Sequence, residues 1–233
     1  MPATRSTAAA AKPTTPQAKT AAGRVGRPAG GKDPARTMEE ILEVAMAEFA
    51  DKGLAGARID EIAAATRTSK RMIYYYFGSK DGLYLAVLEE AYRRMRTVES
   101  AQHLGDMPPV QALRHLVEFT YDHHRDNEDF IRLVMSENIH RADYLRQSRT
   151  IRQLNANAID AVRELYERGC AERLFRTGLD PVDIHAAISA VSFFNVSNRH
   201  TFGTIFEQRA SAGKAQTLGR EHAVQMILGL VLA

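Results

Sequence analysis

The sequence is poor in the residues that build disulfide frameworks, zinc sites and aromatic binding platforms. Its 233 residues include one Cys and no Trp, and only 7% of them are aromatic. A single Cys excludes an internal disulfide framework and a cysteine-based zinc finger. The few aromatic residues argue against an extended carbohydrate-binding surface. No stretch approaches the ~18 consecutive apolar residues of a membrane-spanning helix, so the sequence predicts no membrane partner.

Basic charge is concentrated at the start of the chain, although the net charge of the whole is only +3. Residues 1–36 contain seven Lys or Arg and one acid, Asp33, which leaves a net −3 on the remainder. Such an arm is typical of a polyanion binder. Its Ala- and Thr-rich composition also fits a mitochondrial targeting peptide, but four prolines would break the required amphipathic helix. We therefore predict a disordered basic arm over residues 1–34.

The remainder of the chain has helical periodicity throughout and no alternating strand pattern. Apolar residues recur three and four apart, and Ser, Pro and Gly stand where helices would start and stop. The sequence therefore predicts an all-α protein. The predicted helices span residues 38–53, 59–65, 69 to about 75 and 80 to about 102, and further helices begin near residues 109, 130, 151, 181 and 222.

Residues 58–77 have the pattern of a helix-turn-helix, because a three-residue turn separates two short helices. The second helix of this motif lies in the DNA major groove, where Lys and Arg donate to guanine edges or phosphates and tyrosine hydroxyls donate to phosphates. Ile73 and Phe77, four residues apart, can face the core. The alternative is a solvated basic helix, since spacing alone is a weak signal. The candidate DNA-binding residues are Arg58, Ser69, Lys70, Arg71, Met72, Tyr74, Tyr75, Tyr76 and Lys80.

Around this motif, one run of the sequence has the segments 41–45, 62–63 and 74–80, with Phe49, Gly53, Ile59 and Leu83 in register. This run resembles the tetracycline-repressor (TetR) family. The resemblance implies a three-helix DNA-binding domain with a linking fourth helix at residues 35–95, and a helical domain at residues 96–233 that dimerises and binds a ligand. It also implies that the first recognition-helix residues read bases, whereas Tyr74, Tyr76 and Lys80 hold the DNA backbone. Residues 137–141 and 196–202 resemble one subgroup of these regulators.

The sequence departs from the family pattern at two positions of the motif. Arg58 stands where the family usually has Thr, and its guanidinium can reach the same phosphate. Arg67 stands in the turn where the family usually has Gly. If this position requires a positive φ, Arg costs roughly 1 kcal/mol relative to Gly.

Within the basic arm, Arg24 and Arg27 are flanked by Gly and Pro. Arginines in such a setting can lie in a narrow, electronegative minor groove. A flexible solvated linker is the alternative interpretation of the same composition.

The sequence does not predict an enzyme, a metal site or a cofactor. His123 and His124 are adjacent and would point ~100° apart on a helix, so they do not suit one metal. Cys170 follows a helix-ending Gly with no His or Asp placed to activate it. A helical adaptor is a further alternative, but it would leave the basic recognition helix unexplained.

Three amide side chains fall in apolar helical stripes of the C-terminal half. Asn138, Asn155 and Asn195 lie three, four or seven residues from apolar neighbours, so each is predicted to point inward. A buried amide needs hydrogen-bond partners, which backbone groups of its own bundle or a bound ligand can supply. We predict a pocket for a small, partly polar organic effector. The predicted pocket residues are Tyr121, His124, Asn138, Asn155, Phe194 and Asn195.

Together, these patterns predict a sequence-specific, DNA-binding transcriptional regulator of the bacterial cytoplasm and nucleoid. The final helix is apolar on nearly every side, so we expect the last two helices to form a homodimer interface. A two-fold dimer would bind a palindromic operator in double-stranded DNA. By resemblance, the predicted regulator is a repressor released by its effector; an activator of the same family is the alternative.

Overall fold

The computed structural model describes residues 33–206 and 219–233. Within these ranges the chain folds into α-helices, two short 3-10 turns and an isolated bridge between Phe175 and Leu232, so the all-α prediction is confirmed. The helices are α1 (Pro34–Gly56), α2 (Ile59–Ala65), α3 (Lys70–Phe77), α4 (Lys80–Ser100), α5 (Pro109–Asp126), α6 (Glu128–Ile139), α7 (Arg149–Ala171), α8 (Pro181–Ser197), α9 (Arg199–Ile205) and α10 (Arg220–Val231). The 3-10 turns are Leu104–Asp106 and Leu145–Gln147.

Local capping signals position the helix starts. The hydroxyl of Ser69 accepts a hydrogen bond from the amide of Met72, and the hydroxyl of Ser79 accepts one from the amide of Gly82. Each satisfies an N–H that has no partner inside the helix. Asp180 caps α8 in the same way, and Pro181 occupies its first turn. These starts lie where the sequence predicts them.

Two features of the helices do not follow from the apolar periodicity of the sequence. The regular turns of α1 break at Gly53, which has φ 67° and ψ 172°, and a further turn continues to Gly56. The short helix α9 is not predicted, because its seven residues begin with polar side chains and form no apolar stripe. The first helix, α1, begins at Pro34, which is the last residue of the predicted basic arm. Residues 1–32 of that arm lie outside the described part of the chain.

The N-terminal helices share their core with later elements. Ile41, Phe49 and Ile73 are fully buried together with Leu83 of α4. Side chains of α6, α7 and α8 join the same cluster, including Ile131, Ile151 and Val196. The predicted domain boundary between residues 95 and 96 falls inside α4, so this helix runs through both predicted domains. The division itself stays a prediction.

A second core lies wholly in the C-terminal half. It forms where α5, α7, α8 and α10 pack together, and its buried members include Leu113, Val117, Val162, Ile188 and Ile227. Within residues 33–206 and 219–233, no helix has the length and apolar content needed to cross a bilayer.

Candidate nucleic-acid interface and ligand cavity

The exposed face of α3 carries the predicted recognition residues. Ile73 is fully buried, whereas Arg71, Tyr74 and Tyr75 face solvent. Tyr75 is 77% exposed, an unusual position for a large aromatic side chain with no binding role. Met72 and Tyr76 are half-buried, and the Tyr76 ring packs against that of Tyr75 with centroids 5.4 Å apart. The result is a basic and aromatic surface on a capped helix.

Acidic residues of α2 hold two of the predicted DNA contacts. Lys70 forms an ion pair with Asp60, and Arg58 lies 3.9 Å from a carboxylate oxygen of Glu61. Arg71 has no ion pair among the described residues. A phosphate or guanine must therefore displace an acid to reach Lys70 but not to reach Arg71. Because exposed pairs of this kind stabilise by at most ~1 kcal/mol, the exchange costs little.

The turn between α2 and α3 depends on a residue in the left-handed region. Arg67 has φ 51°. This is the positive φ at which Arg is less favourable than Gly, so the backbone is strained at this position. Its side chain is exposed beside the recognition helix. Arg67 is not among the predicted DNA contacts, although its position in the turn of the motif is a signal that could have identified it.

The start of α4 lies close to the ends of α1 and α3. The ammonium group of Lys80 lies 3.4 Å from the backbone oxygen of Ala55, at the end of α1. A methyl group at Gly82 would lie only 2.1 Å from the backbone oxygen of Phe77, the last residue of α3. The absence of a side chain at Gly82 therefore allows α3 to end directly against α4.

The structure separates the six predicted pocket residues. Tyr121, His124 and Asn195 are buried and Asn155 is half-buried, whereas Phe194 is 40% exposed. Asn138 is exposed, so the prediction that it points inward is wrong. Its amide group donates back to the carbonyl of Val134 one helical turn away.

The neighbouring residue occupies the interior position that the sequence analysis gave to Asn138. Glu137 is 1% exposed, and its carboxylate accepts hydrogen bonds from the amides of Tyr144 and Leu145. Successive side chains on a helix point ~100° apart. An error of one residue in the assumed helical phase therefore assigned the interior position to Asn138 instead of Glu137. The buried carboxylate orders the turn that follows α6.

A polar cluster that the sequence analysis missed lies inside the C-terminal half. Arg96 of α4 is 90% buried; its guanidinium donates to Glu99 at 2.5 Å and to the side-chain oxygen of Asn155 at 2.8 Å. Burial lowers the pKa of His123, His124 and His185, and the nearby charge of Arg96 acts on each in the same direction. The signal was available, since Arg96 continues the interior stripe of Leu88 and Tyr92 at four-residue spacing.

Four buried side-chain atoms have no hydrogen-bond partner among the described residues. They are Arg96 Nε, His123 Nδ1, His124 Nδ1 and Ser192 Oγ. Buried polar groups normally pair, and leaving one unpaired costs roughly 1–3 kcal/mol. In the described ranges, no three His, Cys, Asp or Glu side chains are arranged to hold a metal ion.

A cavity of about 490 Å³ adjoins Arg96, between α4, α5, α7 and the turn Leu104–Asp106. This volume is in the range of small-molecule sites. The guanidinium of Arg168 holds the turn over the cavity by donating to the carbonyls of Leu104, Gly105 and Met107. The described lining residues include none of the six predicted pocket residues, although Asn155 contacts Arg96 at its edge. The ligand roles of those six stay predictions. The apolar walls are Leu116, Leu154, Ala158, Ala161, Val162 and Leu165.

Burial of His124 predicts a loss of stability in mild acid. Desolvation, aided by the charges of His123, Arg96 and His185, lowers its pKa from 6.5 to about 3. The unfolded chain takes up this proton first, so the contribution is fully present above pH 6.5 and is lost as the pH falls toward 3. Between pH 7.5 and 5, we expect the free energy of unfolding to fall by ~2 kcal/mol through His124. Urea unfolding across this pH range measures it.

The matched variants are His124→Gln and His140→Gln. His124→Gln should flatten the pH dependence by about the same ~2 kcal/mol. His140 is exposed, so its replacement is the control for removing a His side chain from the surface instead of from the core. An unaltered pH profile in His124→Gln would contradict the assignment.

The fold and its surfaces define a helix-turn-helix regulator, and comparison with known proteins gives the family. The model of the bacterial regulatory proteins of the tetR family matches residues 41–87, and the tetracyclin repressor-like C-terminal domain matches residues 109–227. The chain belongs to the TetR family, and it is a DNA-binding transcriptional regulator. The prediction made from the helix-turn-helix and its flanking residues is confirmed.

Individual relatives agree with this assignment. The HTH-type transcriptional repressor NicS of Pseudomonas putida is 36% identical over 169 residues, which cover 72% of this chain and 80% of the relative. The HTH-type transcriptional repressor SCO4008 of Streptomyces coelicolor is 34% identical over 59% of this chain and 69% of the relative. Among solved structures, SCO4942 of Streptomyces coelicolor superposes with a TM-score of 0.63 at 25% identity, covering 84% of this chain and 98% of that one.

Proposed function

We propose that the protein is a homodimeric repressor that binds a palindromic operator and is released by a small organic effector. The observation that carries the DNA-binding part is the exposed face of α3, where Arg71, Tyr74 and Tyr75 point away from the core. Repression is supported by NicS and SCO4008, both named as transcriptional repressors. An activator would use the same interface at a different promoter position.

The proposed dimer surface is the exposed apolar part of α8 and α10. Val182 is 51% exposed, Met226 55% and Leu230 37%. This surplus is smaller than the sequence analysis expects, because Val224 and Ile227 are buried against the monomer's own core. Two copies related by a two-fold axis would cover the remaining side chains with the same patch on both subunits.

The dimer sets the geometry of the proposed operator. Two recognition helices related by a two-fold axis reach successive major grooves about one helical turn apart, ~34–36 Å. The operator should therefore be an imperfect palindrome. Selection from a random duplex library, followed by footprinting, tests this proposal. Protection of a single asymmetric half-site would contradict it.

Two variants separate base reading from backbone binding. Arg71→Ala should lower affinity for the selected operator by ~1–3 kcal/mol and relax base preference at one position per half-site. Lys80→Ala should weaken binding to all sequences and reduce the slope of log affinity against log salt by about one ion per subunit. Fluorescence anisotropy at several salt concentrations, with operator and scrambled duplexes, measures both effects.

The control for this pair is Arg163→Ala. Arg163 is an exposed α7 residue that pairs with Asp160, remote in sequence from the helix-turn-helix. It should change neither operator affinity nor the salt slope. A change of base preference in Lys80→Ala would show that the two roles are assigned wrongly.

The proposed regulation passes through α4. This helix carries Lys80 and Gly82 at the recognition-helix end and Arg96 and Glu99 at the cavity end, ~24 Å away. An effector that binds the DNA-incompetent arrangement more tightly shifts the population toward it; one that binds both equally shifts nothing. A hundredfold loss of operator affinity requires a coupling free energy of ~2.7 kcal/mol.

The remaining parts of the proposal concern the arm, the location and the absence of catalysis. We propose a bacterial cytoplasmic protein associated with the nucleoid, with no catalytic activity. Arg24 and Arg27 are proposed to enter the minor groove beside the recognition helix; both lie outside the described residues. Deleting residues 1–32 should then weaken operator binding and reduce its salt dependence.

A further inference from the structure

We propose that the effector is a small organic carboxylate, whose carboxylate group binds Arg96 and whose apolar part lies in the cavity along α7. This inference rests on the proposed function, because it names the chemical class of the effector. It is carried by the hydrogen bonding of the buried guanidinium and by the walls of the cavity beside it.

Arg96 is held in one orientation but is not saturated. Glu99 accepts a hydrogen bond from one terminal nitrogen and the side-chain oxygen of Asn155 accepts one from the other, and each of these nitrogens carries a second N–H. A guanidinium has five N–H donors and no acceptor, so only an acceptor can complete it. A carboxylate accepts from two N–H groups of one guanidinium in a charge-assisted pair, which an amide oxygen cannot match.

The charged residues that line the cavity determine where an anionic group can bind. They are Arg96 and Arg168, with Glu99 and Glu164. Arg168 is engaged by the covering turn and Glu164 is exposed, whereas the Arg96 side chain is 90% buried. The end of the cavity at Arg96 is therefore where a carboxylate has a buried cation to pair with.

Two further buried donors lie on α5 and α8, which pack against each other. Ser192 is 1% exposed and its hydroxyl has no partner in the described part of the chain. The same is true of one ring nitrogen of His124, which lies 5% exposed between the rings of Phe130 and Phe193. A hydroxyl and a neutral imidazole can each donate to a carboxylate oxygen.

The cavity limits the remainder of the effector. Its volume is about 490 Å³, and Leu154, Ala158 and Val162 of α7 form one apolar wall opposite Leu116 of α5. Such a site takes a ring or a short branched chain, with the charged end toward Arg96. Arg168 also lines the cavity, but its guanidinium is engaged by three carbonyls of the covering turn.

The test compares acids with their neutral amides on the full-length protein. The probes are benzoate with benzamide, 2-naphthoate with 2-naphthamide, and octanoate with octanamide, titrated by calorimetry at pH 7.5. At least one acid should bind, and its amide should bind at least tenfold more weakly. The proposal is overturned if none of the three acids binds, or if an amide binds as tightly as its acid.

Variants assign the carboxylate to Arg96. Arg96→Gln should weaken the bound acid at least tenfold and leave its amide unchanged. The double variant Arg96→Gln/Glu99→Gln removes both charges together, so it tests the site if the single variant fails to fold. Arg93→Gln is the matched control, because Arg93 makes the same 2.5 Å pair with Glu90 on the exposed side of α4. Wild-type acid affinity in both Arg96 variants would overturn the assignment.

Operator binding is measured in parallel, because it separates a failure of the carboxylate effector from a failure of the proposed repressor function. A protein that binds its selected operator but no acid retains the function and overturns the carboxylate effector. A protein that binds an acid but no palindromic duplex contradicts the repressor and supports the ligand class. The bound acid should also lower operator affinity in wild type and not in Arg96→Gln; an acid that leaves operator affinity unchanged overturns its role as effector.

Discussion

A Met226→Glu/Leu230→Glu variant is expected to sediment as a monomer and to lose roughly 10²–10⁴-fold of its operator affinity. Both side chains are exposed on α10, in the patch proposed to meet its two-fold copy. Burying four carboxylates at such an interface is strongly unfavourable. A monomer binds one half-site at a time, so the intramolecular second contact is lost. Analytical ultracentrifugation and anisotropy on the full operator measure the two effects.

The control adds the same charge elsewhere. Gln147→Glu/Gln153→Glu introduces two carboxylates at exposed positions outside α8 and α10. It should remain dimeric and keep nearly all of its operator affinity. A Met226→Glu/Leu230→Glu variant that stays dimeric at micromolar concentration would place the interface on another surface.

Gly82→Ala should displace the recognition helix and remove most of the specific DNA binding. The added methyl group would lie 2.1 Å from the carbonyl oxygen of Phe77, well inside van der Waals contact. The obstructing atom belongs to the backbone, so relief requires α3 to move relative to α4. Overpacking of this kind costs typically ~1–3 kcal/mol of stability. Because recognition needs α3 placed accurately in the groove, we expect operator affinity to fall at least about tenfold.

Gly105→Ala is the matched substitution for this experiment. Gly105 has open space around the position of an added methyl group. Its variant should match wild type in urea unfolding and in operator anisotropy. If Gly82→Ala also bound the operator with wild-type affinity, the close approach of α3 to α4 would not determine the position of the recognition helix.

The N-terminal motif was predictable because its signals are local. Ser69 and Ser79 cap helices through hydrogen bonds to residues three positions later, so the sequence alone places both starts. Ile73 is buried by helical phase within one short element. The family resemblance of this region rests on the same residues, and the matching family models confirm it.

The effector region was less predictable because several helices define it together. Helical phase over a short stripe tolerates an error of one residue, which is how Asn138 was given the interior position of Glu137. Arg96 appeared as one charged residue on a long helix, and its burial depends on Asn155 in α7, 59 positions away. Fewer apolar residues of α10 are exposed than the sequence predicts, because α5 and α8 cover Val224 and Ile227.

By itself, the sequence determined the all-α class, the helix starts, the helix-turn-helix and the regulator family. Each of these depends on hydrogen bonds and side-chain periodicity within a few residues, which the order of residues along the chain records directly. Only the tertiary structure decided that Arg96, Glu99 and the histidines form one buried cluster beside a cavity, and that Met226 and Leu230 stay exposed on α10. The reason is physical: burial and charge pairing between helices depend on how the helices pack, and a single helix does not specify its neighbours.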